Sequence, residues 1–292
     1  MKAPEFAYHR PERLDEAIQL LSSLENVKLL AGGQSLMPML NMRYVIPDHL
    51  IDLNRIGGLD AITLDPESLR VGALVRQRTL ERNAELRARV PIFAEAIAHV
   101  GHHQTRSRGT VGGSLCHLDP AAELVLLAAL HGAVIHVSGR NGPRDLGIDS
   151  WVAGYMSPDL SADEILTAIT FPLWQERSGE AFLEFARRRG DFALASVGVR
   201  VALTDGRILR LAIALGGLSI APIRLRKAEA NLVGAPPDSA TADLLAAEVT
   251  KLEVMGDAHV SSDYRQSLAA TLLRRAFVLA VERASENTNV NN

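Results

Sequence analysis

Two pairs of adjacent glycines, in similar surroundings, are the residues of this sequence best suited to binding chemistry. Gly32 and Gly33 lie in LLAGGQSLMPML, between a short apolar run and a segment of helical character, and Gly112 and Gly113 lie in GTVGGSLCHLDPAAEL. Glycine permits backbone angles closed to other residues, and it lacks the Cβ that would keep a ligand away from peptide N–H groups. Successive N–H groups directed at one point bind anions. The repeated pattern therefore indicates a diphosphate held between two turns.

Each glycine pair is followed within two residues by a serine, Ser35 or Ser114, whose hydroxyl can donate to an anion or cap the next helix. The common phosphate motifs are nevertheless absent, since the sequence contains neither G-x-G-x-x-G opening a βαβ unit nor G-x-x-x-x-G-K-[ST]. A ligand here would therefore be bound differently from a dinucleotide in a Rossmann fold. On these residues alone, a tight structural turn remains the alternative interpretation of the first pair.

Other reactive side chains near the second pair do not favour a metal site or a catalytic site. Three histidines, His102, His103 and His117, form no three-ligand set with regular spacing. Cys116 is adjacent to His117, but neighbours in sequence need not face each other, so a nucleophilic cysteine is the less favoured interpretation. We therefore predict no metal ligand and no catalytic side chain in this chain.

Composition and charge argue against several classes of protein. The 292 residues carry a formal net charge of −3, which gives no electrostatic reason to expect nucleic acid or an anionic membrane surface. We interpret the basic run at 187–189 as a solvated or interface patch. No apolar run approaches the roughly 20 residues that span a bilayer, MKAPEFAYHR lacks the apolar core of a signal peptide, and a single cysteine excludes an internal disulfide framework. We expect a soluble, cytoplasmic protein.

Hydrophobic periodicity predicts the elements that position the glycine pairs. Residues 14–24 fit an amphipathic helix, VKLL at 27–30 fits a short buried strand before the first pair, and residues 61–73 fit a hairpin. Further helices are predicted over 90–101 and from Pro120 to Gly132, and further strands over 133–139 and 164–173.

The pattern changes near residues 174–181. Three long strand-like runs follow, AFLEFARRR, ALASVGVRVAL and ILRLAIALGGL, with a hairpin signal at Asp205 and Gly206 between the last two. Two helices are predicted at about 240–253 and 262–283. Strands followed by helices indicate an α+β fold. We place a domain boundary near Gln175, with a small C-terminal α+β domain over 176–285, built on a three-stranded antiparallel sheet, and a disordered tail over 286–292.

Three motifs in order, LLAGGQSLMPMLNMR, GTVGGSLCHLDPAAEL and ARRRGDFALASVGV, resemble the FAD-binding medium subunit of bacterial molybdenum hydroxylases. That family includes the medium chain of aerobic carbon monoxide dehydrogenase and corresponds to the flavin domain of xanthine oxidase. The resemblance runs from FAYHRPERLDEAIQLL to SSDYRQSLAATLLRRAF, nearly the full chain. It implies that residues 1–175 form an FAD-binding domain of the xanthine-oxidase and vanillyl-alcohol-oxidase flavin type, with two α/β subdomains at about 1–55 and 56–175.

In the family, the two glycine turns hold the FAD pyrophosphate from opposite sides. The resemblance implies the following cofactor-binding residues: Leu29, Leu30, Ala31, Gly32, Gly33, Gln34, Ser35 and Leu36 in the first segment; Thr110, Val111, Gly112, Gly113 and Ser114 in the second; and Val100, Asp119, Glu123, Leu166, Asp191 and Phe192 elsewhere.

The resemblance also implies roles for the scattered residues. Val100 and Leu166 would line the flavin or adenine pocket, and Asp119 and Glu123 would hydrogen-bond the hydroxyl-rich part of the ligand. The Gly190–Phe192 turn would bring an aromatic ring beside the isoalloxazine. The family commonly has a basic side chain near position 186, where this sequence has Ala186, and an arginine of the run at 187–189 is the candidate replacement.

The activity implied by the resemblance is electron transfer. FAD on this chain would take electrons from an iron–sulfur small subunit and pass them to an external acceptor. A large subunit with the molybdenum cofactor would oxidise a heteroaromatic compound or an aldehyde, and [2Fe-2S] clusters would lie on the small subunit. We expect a heterotrimer, or a dimer of heterotrimers. The alternatives are a stand-alone FAD-dependent oxidoreductase and a non-enzymatic scaffold with incidental glycine turns.

Overall fold

A small parallel sheet at the start of the chain positions the first glycine pair. The computed structural model describes residues 2–289, and its first sheet consists of β1 (Ala7–His9), β2 (Val27–Leu30) and β3 (His49–Asp52) in the order β1-β3-β2. Helices α1 (Leu14–Ser23) and α2 (Leu36–Asn41) connect the strands. Both strand pairs are parallel. The segments that follow β2 and β3 therefore leave the sheet at the same edge.

A five-stranded antiparallel sheet follows, in the order β4-β5-β10-β6-β7. The strands of this part of the chain are β4 (Ile62–Leu64), β5 (Ser68–Gly72), β6 (Val134–Gly139), β7 (Gly142–Gly147), β8 (Val152–Gly154), β9 (Ser157–Pro158) and β10 (Glu164–Pro172), with β8 and β9 paired as a separate ribbon. The hydrophobic core lies against this sheet, where Phe93 meets Phe171 edge to face with ring centroids 4.9 Å apart.

Six helices lie between β5 and β6, and a seventh follows β7. They are α3 (Gln77–Arg82), α4 (Ala84–Arg89), α5 (Ile92–Ile97), α6 (His103–Arg108), α7 (Val111–His117), α8 (Glu123–His131) and α9 (Ile148–Trp151). Gly132 ends α8 with a left-handed φ of 65°, as the sequence predicts. The helix begins at Glu123 and not at Pro120, because the backbone first makes a turn in which the Ala122 N–H donates to the Asp119 carbonyl (3.0 Å).

The C-terminal part is a second antiparallel sheet covered by helices. It contains β11 (Ser178–Phe185), β12 (Ala195–Thr204), β13 (Arg207–Gly216) and β14 (Ile223–Arg224) in that order, followed by α10 (Arg226–Asn231), α11 (Ser239–Val249) and α12 (Ser262–Asn289). The three predicted strands are present, and the two-residue β14 adds a fourth, too short to show a period in the sequence. β11 ends at Phe185, before the exposed arginines at 187–189.

Helix α8 joins the two halves of the molecule. Every residue of α8 is buried, because one side faces the five-stranded sheet and the other faces β12 and β13. Gly198 of β12 leaves room for Leu126 and Leu130, whose side chains lie 2.9 Å from the position that a Cβ would take. The other face of the C-terminal sheet packs on α11 and α12.

Helix α12 is longer than the predicted helix over 262–283. Its last described residue is Asn289, so residues 286–289 of the predicted disordered tail are helical. The polar side chains of this final turn carry no apolar period, which is why the sequence did not predict it as helix. Residues 290–292 lie outside the described part of the chain.

Candidate functional site

The first glycine pair forms an open loop with free N–H groups. Gly33 has a φ of 73°, a conformation that side chains disfavour, and the Met37 N–H donates to its carbonyl at 3.0 Å. Within residues 2–289, the N–H groups of Gly32, Gly33, Gln34 and Ser35 donate to no protein acceptor. Four successive free donors on one turn are an arrangement that binds anions.

The second glycine pair corrects the prediction of two similar turns. Gly112 and Gly113 lie in the first turn of α7 and not in an open loop. The Gly112 N–H donates to the Ala73 carbonyl (2.9 Å) and the Gly113 N–H to Thr110 Oγ1 (3.1 Å), while those of Val111 and Ser114 donate to backbone carbonyls. The sequence pattern did not predict this helix start, because small residues after a threonine fit a helix N-terminus as well as an open turn.

Close packing explains the glycine at position 112. A Cβ there would lie 2.6 Å from the Ala73 Cβ, so only glycine lets α7 approach the end of β5. Of the five N–H groups from Thr110 to Ser114, the Thr110 N–H is the one without an acceptor among the described residues. The second segment therefore offers one free backbone donor, where the first offers four.

The two glycine segments touch each other. A Cβ on Gly32 would lie 2.5 Å from the Arg108 carbonyl oxygen and 2.8 Å from the Gly109 Cα, both of which are backbone atoms. Arg108 and Gly109 immediately precede Thr110, the N-cap of α7. The structure thus brings the first predicted segment and the beginning of the second predicted segment together.

Four polar side chains that the sequence analysis missed support this junction. The Tyr8 hydroxyl donates to Asp52 Oδ2, and Asp52 Oδ1 accepts from both the backbone N–H (2.9 Å) and the side-chain Nδ2 of Asn54. Asn54 Nδ2 also donates to the Ala31 carbonyl (2.8 Å), and Arg76 donates to Asn54 Oδ1 and to the Arg108 carbonyl. Together these side chains hydrogen-bond the Ala31 and Arg108 carbonyls, one on each side of the contact between the two segments, within one network.

A sequence signal existed for part of this network. Asp52 and Asn54 lie at the carboxyl end of β3 and the glycine pair lies at that of β2, so two neighbouring parallel strands place them at one sheet edge. Arg76 has no comparable signal, because it comes from the segment after β5.

Electrostatics distinguish the two charged members of the network. Burial disfavours the ionised form of Asp52, but hydrogen bonds from Tyr8 and Asn54 outweigh burial and hold the pKa of Asp52 below its ordinary value. Burial, aided by the charge of Arg108, lowers the pKa of Arg76, although a guanidinium remains charged at neutral pH. Within the described residues no carboxylate lies within 4.0 Å of the Arg76 guanidinium. The junction therefore contains a cation without an ion-pair partner.

The remaining predicted residues lie in four places. Val100 ends the α5 segment, where Arg106 donates to its carbonyl (3.0 Å). Asp119 accepts from the Ala121 N–H (2.8 Å) in the turn before α8. Leu166 is 4% exposed and belongs to the core beside the five-stranded sheet. Asp191 and Phe192 lie between β11 and β12, where Phe192 is 69% exposed.

The 190–192 turn lies beside the segment after α5. A Cβ on Gly190, whose φ is 86°, would lie 2.6 Å from the His102 ring and 3.0 Å from the Gly101 carbonyl oxygen. The structure therefore brings Asp191 and Phe192 close to the Val100 segment. The three arginines at 187–189 are exposed, and no contact selects one of them to replace the basic side chain that the family has near Ala186.

Glu123 lies in a buried acidic environment at the start of α8. Burial, and next the charge of Glu184, raise the pKa of Glu123 to about 8. The Glu184 side chain is 3% exposed, and its Oε1 lies 3.5 Å from His99 Nδ1. Its Oε2 has no hydrogen-bond partner among the described residues. Glu123 therefore holds a proton at neutral pH and can donate a hydrogen bond.

Metal and thiol chemistry find no support in the described residues. Within residues 2–289, no three histidine, cysteine or acidic side chains are grouped as metal ligands. Burial raises the pKa of the Cys116 thiol to about 12, so it is not a nucleophile at neutral pH. No helix of this part of the chain has the length and apolar character to cross a bilayer.

Two family models match almost the whole chain. The FAD binding domain in molybdopterin dehydrogenase matches residues 4–174, and the CO dehydrogenase flavoprotein C-terminal domain matches residues 180–280. The chain belongs to this family of FAD-binding medium subunits of molybdenum hydroxylases. Its members are oxidoreductase subunits, and the resemblance stated from the three sequence motifs is confirmed.

Individual relatives match over nearly their full length. The caffeine dehydrogenase subunit beta of Pseudomonas sp. strain CBB1 is 35% identical over 97% of both chains. The nicotine 6-hydroxylase medium subunit of Paenarthrobacter nicotinovorans is 35% identical over 97% of this chain and 100% of that protein. The crystal structure of quinoline 2-oxidoreductase from Pseudomonas putida 86 matches with a TM-score of 0.92 and 35% identity, covering 97% of this chain and 99% of that one. The likeness confirms the predicted two-part FAD-binding fold.

The residues present fit FAD, the cofactor of this family. FAD carries an anionic diphosphate, and the four free N–H groups at Gly32–Ser35 offer donors for such a group. The guanidinium of Arg76, which no carboxylate of the described residues contacts, adds positive charge at the adjoining loop contact. The donor set of the first glycine segment thus suits the cofactor, and that of the second segment contributes less than the sequence predicted.

Proposed function

We propose that this chain is the FAD-carrying electron-transfer subunit of a three-chain molybdenum hydroxylase. The open row of N–H groups at Gly32–Ser35, at the edge of a fold shared with molybdenum hydroxylase medium subunits, is the observation that carries the proposal. When bound, FAD would supply the two-electron redox chemistry. The chain itself binds, orients and shields the cofactor.

The proposed cofactor contacts are those that the family resemblance implies. The first glycine segment, however, contributes more of the diphosphate donors than the second. The loop from Leu29 to Leu36 supplies most of the diphosphate donors. Thr110 and Ser114 supply a backbone N–H and a hydroxyl from the second segment. Val100, Leu166 and the turn with Asp191 and Phe192 would enclose the flavin or adenine end, while Asp119 and Glu123 would hold hydroxyl or carbonyl groups of the ligand.

Glu123 offers a specific interaction within this proposal. A carboxyl group that stays protonated at neutral pH donates a hydrogen bond, whereas an ionised one only accepts. Because burial raises the pKa of Glu123 to about 8, it can donate to a carbonyl or ring acceptor of the cofactor. The chain can thereby hold a proton close to the site.

The proposed partners are an iron–sulfur small subunit and a large subunit with the molybdenum cofactor. The relatives include subunits named for caffeine, nicotine and glyceraldehyde, which supports a heteroaromatic compound or an aldehyde as the substrate, oxidised on the large subunit. We further propose a heterotrimer, assembled singly or as a dimer, an external electron acceptor, a cytoplasmic location, and a domain boundary near residue 175. A stand-alone FAD-dependent oxidoreductase is the second candidate, and co-purification with two further chains distinguishes the candidates.

Flavin selectivity tests the cofactor assignment. We expect the purified full chain to bind about one FAD per chain, non-covalently, and to bind FMN far more weakly, because FMN has no diphosphate to occupy the N–H groups of the first segment. Titration of the deflavinated chain by flavin fluorescence measures both affinities, and elemental analysis should find no stoichiometric molybdenum or iron. Equal affinity for the two flavins would contradict the diphosphate site, and stoichiometric metal would contradict the division of cofactors among subunits.

A further inference from the structure

A polar pair behind the first glycine loop, Arg76 and Asn54, is assigned no role by the family or by the sequence motifs. Arg76 lies between β5 and α3, and Asn54 follows β3, so the two come from different sheets. Each donates to a main-chain carbonyl: Arg76 to that of Arg108, and Asn54 to that of Ala31 (2.8 Å). The pair therefore hydrogen-bonds the backbone of both glycine segments beside the point where they touch.

The polarity of this network allows one orientation of the Asn54 amide. Arginine is only a hydrogen-bond donor, so the oxygen of the Asn54 amide must face Arg76, as it does. The amide nitrogen is thereby turned toward the Ala31 carbonyl and Asp52. Arg76 thus fixes which end of Asn54 faces the loop.

A carbonyl held behind the loop directs the next N–H to the front. In a planar trans peptide, the C=O and the N–H point in opposite directions. Because Asn54 holds the Ala31 carbonyl, the Gly32 N–H of the same peptide must point away from Asn54. Gly32 also lies against the Arg108 carbonyl oxygen, which would be 2.5 Å from a Cβ at this position. The pair therefore orients the first free donor of the loop and fixes the spacing to the second segment.

The charge of Arg76 acts in the same direction. Its guanidinium has no carboxylate within 4.0 Å among the described residues, and the charges of Asp52 and Asp60 act on it only from a greater distance. A cation in a partly buried setting is screened less than one in water. It favours an anion bound at the adjoining loop.

We propose that Arg76, acting with Asn54, is a positioning pair that sets the selectivity of this chain for a flavin with a diphosphate. The inference rests on the proposed function, since it concerns the affinity for FAD. The pair is not required to touch the cofactor. It acts through the direction of the loop N–H groups and through a positive charge that no carboxylate of the described residues contacts directly.

The test compares flavin affinities of single variants in the deflavinated full chain. Arg76→Met keeps the side-chain length but removes the charge and the hydrogen bonds, and Asn54→Ala releases the Ala31 carbonyl while Arg76 keeps its charge. Arg76→Lys keeps the positive charge but lacks the planar guanidinium that donates to two acceptors at once. The matched control is Arg82→Met, since Arg82 is an exposed arginine of α3 that makes no hydrogen bond or ion pair among the described residues.

Loss of one charge-assisted contact corresponds to a change in affinity of about tenfold or more. We expect Arg76→Met and Asn54→Ala each to lower the ratio of FAD affinity to FMN affinity by at least about tenfold, Arg76→Lys to recover part of it, and Arg82→Met to leave it unchanged. Circular dichroism and thermal unfolding of each apo variant show whether it is folded. If Arg76→Met does not fold, Arg76→Lys and Asn54→Ala make the same comparison.

Two results would overturn the inference. One is a folded Arg76 or Asn54 variant with the ratio of the unaltered chain. The other is an equal loss of FAD and FMN affinity, which would indicate general damage to the site. If the unaltered chain itself fails to prefer FAD, the proposed function fails first, so the two failures are distinguishable.

Discussion

Glu123 shows how the fold changes the chemistry of a single side chain. Its pKa is raised from 4.5 to about 8, first by burial and then by Glu184. Between these two pH values the folded chain keeps a proton that the unfolded chain releases. The contribution of Glu123 to the free energy of unfolding is therefore fully present below about pH 4.5 and is lost as the pH rises through 8.

The variant Glu123→Gln isolates this effect, because glutamine resembles the protonated acid at every pH. We expect the stability of the apo variant relative to the unaltered chain to improve between pH 5 and pH 9, by on the order of a few kcal/mol. Urea denaturation at pH 5, 7 and 9 measures the difference, and other titrating groups such as His131 cancel in it. A difference that does not change with pH would contradict the raised pKa.

Gly32 is required by the contact between the two glycine segments. A Cβ there would lie 2.5 Å from a backbone oxygen, and backbone on both sides gives way poorly. We expect Gly32→Ala to lower the free energy of unfolding by about 1–3 kcal/mol and to weaken FAD binding. The control is Gly57→Ala, where a Cβ would meet nothing within 4 Å. Flavin titration measures the FAD affinity of both variants, and denaturation measures their free energy of unfolding. A folded Gly32→Ala chain with full FAD affinity would refute the expectation.

At the residue scale, the sequence identified candidate residues from local patterns, but it did not predict the contacts that they make. The glycines at 32 and 33 were predicted as binding residues because glycine after a strand is a local signal. Tyr8, Asp52, Asn54 and Arg76 were not found as a group, since their contacts join residues 22 and 44 positions apart. Gly112 was given a ligand role, yet its contact is with Ala73. Such long-range contacts leave no local pattern.

Among the elements of the C-terminal part, α12 and β11 approach each other closely at a glycine. Gly179 of β11 lies under α12, where a Cβ would be 1.8 Å from the Ala280 carbonyl oxygen and 2.4 Å from the Ala284 nitrogen. Both are atoms of the helix backbone. The helix can lie this close to the strand only because position 179 has no side chain.

We therefore expect Gly179→Ala to displace α12 and to destabilise the chain by about 1–3 kcal/mol or more. Gly147→Ala is the matched control, because a Cβ at that position would meet nothing within 4 Å and its φ is −67°. Urea denaturation of the two variants measures the contrast. Equal stabilities would show that the helix adjusts without loss.

Element prediction succeeded where a full period was present. β12, β13 and α1 each extend over enough residues to show period 2 or 3.6. Helices α3, α4 and α6 have six residues each, fewer than two turns, and they were not predicted, whereas the equally short α5 was predicted from the Pro91 and Gly101 that flank it. Their positions depend on packing around the core and not on local pattern.

A buried ion pair between β11 and β12 of the C-terminal sheet lies beside the junction of the two halves. Arg200 Nε donates to Glu180 Oε1 at 2.7 Å, with side chains 2% and 8% exposed. The Arg200 guanidinium also lies over the Trp174 ring, 4.2 Å from its centroid. Arg283 of α12 reaches Glu95 of α5 at 2.9 Å beside a cleft of about 510 Å³. Charged groups therefore connect the C-terminal sheet to the flavin-binding half.

Removing one partner of the buried pair should be more damaging than removing both. We expect Arg200→Met to destabilise the chain by about 3–5 kcal/mol, because it leaves Glu180 buried without its cation. The double variant with Glu180→Leu should recover much of this loss. Arg13→Met, which breaks an exposed pair with Asp15, should leave the stability almost unchanged, because water screens that pair. Denaturation of all the variants gives the comparison, and additive losses would contradict it.

The full burial of α8 has a consequence for how the protein is made. One face of this helix is covered only when β13 has been synthesised, and β13 ends at Gly216. At about 5–20 residues per second, a ribosome needs several seconds to extend the chain from α8 to that point. During this interval a row of leucines, including Leu126 and Leu130, is exposed on the nascent chain. We therefore expect the growing polypeptide to bind chaperones that shield apolar helices before FAD binds.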